Sequence, residues 1–159
     1  MVTIKKLAEM FQSFAIRHLQ VVDHGVGRIG DIDPDKIANY PYVYMEFPSA
    51  VYDAGGRGKT YTMDFLFYDL PTDKEDKERN QLELYHDMAL VAEDLLADIE
   101  YGFEEFRGIE SQPRDMYEIT SATIDPLVQK TKNVLCGCVL RLSLRVPHEY
   151  DSCNAPLRP

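Results

Sequence analysis

Residues 53–60 read DAGGRGKT, and the class of the fold depends on whether this stretch is a phosphate cradle or the turn of a hairpin. A phosphate-binding loop reads G-x-x-x-x-G-K-[S/T] and lies between a strand and a helix, its backbone amides wrapped around the phosphates. Gly58, Lys59 and Thr60 match its end, but the first glycine would fall at position 53, where the carboxylate of Asp53 would repel phosphate. The residues after the loop alternate as a strand, with Tyr61, Met63, Phe65 and Phe67 on one face and Thr62 and Asp64 on the other. Before it, YPYVYMEFPSAVYD (40–53) is crowded with aromatic and β-branched residues. The loop therefore joins two strands, and Gly55, Gly56 and Gly58 supply the positive backbone angles of a hairpin connection. Arg57 and Lys59 make it a basic protrusion on an acidic protein, either a docking tip for a negative partner surface or a solvated loop.

Upstream, Ile4, Leu7, Met10, Phe11, Phe14, Ala15 and His18 recur at separations of three and four, which predicts a helix ending near Asp23-His24-Gly25. GVGRIGDIDPDKIANYP (25–41) reads as a loop linking that helix to the hairpin. Downstream, Tyr85, Met88, Ala92, Leu95 and Ile99, widened by Leu82, Ala89, Leu96 and Phe103, predict one long amphipathic helix from about Leu82 to Phe103. Glu83, Asp87, Glu93, Asp94, Asp98 and Glu100 form its acidic face. After Gly108 and Pro113 the period returns to two. A strand, a polar break from Pro126 to Asn133 and a second strand follow, the last with Val134, Cys136, Cys138, Leu140, Leu142, Leu144 and Val146 inward and Arg141, Ser143 and Arg145 outward. Pro147 ends it.

Strands grouped in pairs predict an α+β fold: an antiparallel or mixed sheet of about four strands packed against an N-terminal helix and the long central helix. One domain over 1–147 with a C-terminal extension over 148–159 is expected from the 159-residue length and the loss of period after Pro147.

The formal net charge is −10, from 27 acidic and 17 basic side chains, which disfavours broad neutralisation of nucleic-acid phosphates but suits a wall past which DNA slides. No apolar run suggests a cleavable leader or reaches the ~20 residues of a membrane-spanning helix, so a soluble protein without membrane partners is expected. Cys136, Cys138 and Cys153 are odd in number, and a reducing compartment is the simpler reading. Cys136 and Cys138 read as buried small hydrophobes, because His18, His24, His86 and His148 show no spacing that completes a metal site. Cys153 with His148, or Ser13 with His18, could be imagined as nucleophile and base, but no elbow or signature surrounds either pair. No catalytic residue, cofactor or metal ion is expected.

The order of elements resembles the tail terminator, or tail completion, proteins of tailed bacteriophages and the related head–tail connector ring proteins. The resemblance spans the N-terminal helix, the aromatic hairpin YPYVYMEFPSAVYDAGGRGKTYTMDFLFYDL, the long helix, and the final strand running into VPHEYDSCNAP. This closing stretch, with Asp151 and Cys153, is similar to small structural proteins of crAss-like phages. The resemblance implies a virion protein of the tail or neck, assembled in the host cytoplasm. It would form a homo-oligomeric ring, a hexamer or dodecamer, at the portal–tail junction, with genomic DNA passing through the lumen without sequence-specific binding. Contacts with sister subunits and with neighbouring portal, connector or tail proteins are then expected at Gly55, Gly56, Arg57, Lys59, Arg141, Arg145, Tyr150, Asp151 and Cys153. The same composition also fits a small monomeric adaptor module, or an enzyme whose site the sequence does not display.

Overall fold

A computed structural model describes residues 2–28, 30–71, 77–101, 117–130 and 134–147. They form two α-helices and a mixed sheet of six strands, an α+β fold. Helix α1 (Ile4–Arg17) starts at Thr3, whose hydroxyl accepts a hydrogen bond from the Lys6 amide. It stops at Arg17 rather than near Gly25, because the chain turns extended at His18. Residues read as loop are in part β1 (Asp23–Gly27), which pairs in parallel with β2 (Tyr42–Glu46). Between them lies a 3-10 turn (Pro34–Lys36), and the Tyr40–Pro41 peptide is cis.

The aromatic run 40–53 is not one strand but two. Phe47 and Pro48 separate β2 from β3 (Ser49–Tyr52), and both pair antiparallel with β4 (Gly58–Asp69) along the same side. On its other side β4 pairs over its whole length with β6 (Val134–Pro147), whose outer neighbour is β5 (Glu118–Lys130). The sheet order is β1-β2-β4-β6-β5, with β3 beside β4. The expected break at Pro126 does not occur, since β5 runs through it opposite Cys138. A proline is tolerated there because β5 is the edge strand among the described residues, with one row of backbone groups outside the ladder with β6.

Helix α2 (Lys77–Tyr101) buries Met88, Val91, Ala92, Leu95 and Ile99, while Leu82 stays exposed. Phe103 lies outside the described residues. Both helices pack on one face of the sheet, where Val43, Met45, Met63, Phe65, Phe67, Leu140, Leu142 and Leu144 join them in one core. Cys138 belongs to this core and Cys136 is buried beside it, both with free thiols, and burial pushes the Cys138 thiol up to about 12. Part of the acidic face of α2 serves the helix pair: Asp98 accepts two hydrogen bonds from the Arg17 guanidinium, at 3.1 and 3.0 Å. Asp94 lies 3.1 Å from the His18 ring, which also stacks on Phe14.

Candidate functional site: the hairpin tip and the outer sheet face

The glycine loop closes the β3–β4 hairpin, so Thr60 begins a ladder rather than a helix and no phosphate cradle is present. Gly55 and Gly56 take positive φ angles of 99° and 73°, while Gly58 opens the strand without one. Gly58 has a different reason to be glycine: a Cβ would come 2.6 Å from Asp53 Oδ2. That carboxylate is held by Arg145, whose guanidinium donates to it at 2.8 Å across the base of the hairpin.

Arg57 is exposed at the tip, but Lys59 is not part of a basic protrusion. It is 5% exposed, on the same side of β4 as Tyr61 and Met63, with its ammonium 4.8 Å from the centre of the Tyr61 ring. Alternation along the strand turns it inward, and its apolar stem and the ring face make that position tolerable for a cation. Arg141 and Arg145 project from the opposite face, as expected. Arg141 lies 3.7 Å from Asp64 and 3.9 Å from Asp125, so both arginines have carboxylate neighbours within the subunit. Tyr150, Asp151 and Cys153 lie outside the described residues.

Among the described residues this second face carries no helix. Thr62 and Ser143 share a hydrogen bond there at 3.3 Å, and toward β1 it becomes aromatic through Tyr42, Tyr44 and Tyr68. Tyr44 donates to the Arg28 carbonyl at 3.1 Å, tying the segment after β1 to the sheet. Tyr68 is fully buried, its hydroxyl has no hydrogen-bond partner among the described residues, and burial with Glu46, Tyr40 and Tyr42 nearby pushes its phenol up to about 12. Sequence reasoning placed no site among these tyrosines. Their alternation with Val43 and Met45 was the available signal.

Glu46 and Asp64 also share this face, and burial raises both carboxyl pKa values above the ordinary ones, with Arg141 opposing the shift. A raised folded pKa means that the unfolded chain gives up its protons first. The contribution of these groups to stability is therefore full below the unfolded values and is lost as pH rises through the folded ones. The urea midpoint should accordingly rise as the solution is acidified from neutral pH toward the ordinary carboxylate range. A midpoint that falls over this interval contradicts the assignment.

Two open cavities flank the sheet. One, of about 330 Å³, lies at the hairpin end between Arg57, Gly58, Tyr117, Glu118, Arg145 and Pro147. The other, of about 360 Å³, lies under the segment after β1, between Asp23, Asp31, Asp33, Lys36, Tyr42 and Tyr44. Among the described residues no group of three or more His, Cys, Asp or Glu side chains is placed to hold a metal ion. Among them, too, no helix is long and apolar enough to cross a membrane. No protein-family model and no curated protein matches the chain.

Proposed function

We propose that the chain is a structural virion subunit that repeats in a homo-oligomeric ring at the portal–tail junction, as a head–tail connector or tail terminator, with DNA passing through the lumen. The observation that carries the reading is that the sheet ends in two unlike edges. Parallel β1 and its acidic loop stand at one edge, and the long antiparallel β5 at the other. A subunit with two different flanks suits a heterologous contact, which closes into a ring when the rotation permits. Phe47, Val51 and Tyr52, which are 55%, 66% and 49% exposed along the β3 side, are apolar surface that a neighbour would cover. The excess of negative charge would keep passing DNA from adhering to the wall.

The test is the mass of the purified protein by light scattering over a concentration series, with negative-stain images of what elutes. Rings with a central pore are expected, and the mass gives the subunit count. A strict monomer that binds a soluble partner one to one is the result expected of an adaptor module instead.

A further inference from the structure

We propose that Arg57 at the hairpin tip of one copy inserts into the cavity between residues 31–38 and the β1–β2 surface of the next copy, making a head-to-tail contact. The inference rests on the ring reading and names the surfaces through which the ring would close. Arg57 is exposed and has no hydrogen bond or ion pair among the described residues. Its neighbour Gly55 has no atom within 4 Å of the place a Cβ would occupy, so the loop is open on that side, while Arg57 itself borders the hairpin-end cavity beside Glu118.

The cavity has the opposite chemistry. Asp23, Asp31 and Asp33 line it, with Tyr42 and Tyr44 as aromatic walls and about 360 Å³ of space. Lys36, 3.3 Å from Asp33, offsets one of the three charges, and Arg28 is not among the lining residues. Asp23 and Asp31 each use one carboxylate oxygen on a backbone amide, of His24 and Arg28 respectively. Among the described residues the second oxygen of each accepts no hydrogen bond and can meet an incoming donor. A guanidinium matches such a site better than an ammonium, since its planar fork can meet a carboxylate with two hydrogen bonds and stack on a tyrosine.

The tip cannot reach its own cavity. Asp23 pairs with Tyr42 and Tyr42 with Tyr68, which puts the cavity at one end of β4, whereas the tip precedes Gly58 at the other. Ten residues of strand separate Gly58 from Tyr68, about 33 Å at the usual rise. Arg57 of the same copy is thereby excluded, whereas a second copy can present its Arg57 on a projecting hairpin. Donor and acceptor lie on different parts of the subunit, so the contact is not two-fold and propagates around an axis.

Charge reversal tests the pairing. Arg57→Glu and Asp31→Lys should each raise the apparent dissociation constant for assembly at least tenfold in light scattering, and the double variant should regain most of the loss. Circular dichroism melts close to the parent's are expected, because both positions are exposed; Arg57→Gln, which removes charge without reversing it, should weaken assembly less. Rings that persist in both single variants would overturn this contact and leave the ring reading standing. Single variants that dissociate without recovery in the double variant would overturn the direct pairing. A parent chain monomeric up to about 1 mM would overturn the contact and the ring together.

Discussion

Gly137→Ala is expected to cost about 3 kcal/mol or more of folding stability, the upper range for overpacking a well-filled interior. The cause is backbone against backbone. A Cβ on residue 137 would run into the Phe67 carbonyl oxygen, with the carbonyl carbon of Phe67 at 2.8 Å and Tyr68 Cα at 3.3 Å. No side-chain rotation relieves such an overlap. β6 would have to move away from β4, and the two are paired without interruption from Gly58 opposite Pro147 to Asp69 opposite Cys136. Movement there also loosens the buried residues on either side, Cys136 and Cys138. In a chain of this size the loss corresponds to a fall in Tm of roughly 6–12 °C, at about 2–4 °C per kcal/mol. A variant that melts within about 2 °C of the parent would show that the strands can separate locally at little cost. Gly55→Ala is the useful contrast. That site is open, and only its φ of 99° opposes a side chain, so about 1–2 kcal/mol is expected.

The elements that were legible in the sequence are those whose pattern follows from facing a single core. Helix α2 shows its buried stripe from Met88 to Ile99, and β6 shows alternate burial from Leu140 to Pro147, where the helices cover one face of the sheet and the other is open. β1 was not legible, since DHGVG has two glycines in five residues, a composition that argues against a strand. Those glycines are explained only by tertiary contact: a Cβ at Gly25 would meet the Tyr42 hydroxyl, and one at Gly27 the Tyr44 hydroxyl. The tyrosine rings lie across β1 and leave no room for a side chain at Gly25 or Gly27. The hairpin loop was legible because its glycines are local requirements. Lys59 misled because a lysine beside a glycine turn suggests solvent, whereas its place in the alternation of β4 put it with Tyr61. The acidic cavity joins Asp23 to Asp31 and Asp33 through a strand that the sequence did not reveal, so the cavity was hidden for the same reason.

Phe65→Ala should cost about 3–5 kcal/mol, as truncation of a buried aromatic ring leaves both lost contacts and a cavity. Phe65 is fully buried in the middle of the sheet, between Met45 on β2 and Leu140 on β6, and its ring centre lies 5.4 Å from that of Phe11 at an angle of 44°. Phe11 is in turn fully buried on α1, so this ring pair fastens the N-terminal helix to the sheet. Two effects can be separated. Phe65→Leu keeps most of the apolar volume and should lose roughly 1–2 kcal/mol. A double-mutant cycle with Phe11→Ala isolates the contact itself, and a coupling of about 0.5–1.5 kcal/mol is expected from the ring geometry beyond burial. Chemical unfolding of the four chains gives that number directly. Strictly additive losses would mean that α1 is held by buried area spread over Leu7, Met10 and Phe14, with no particular contribution from the aromatic pair.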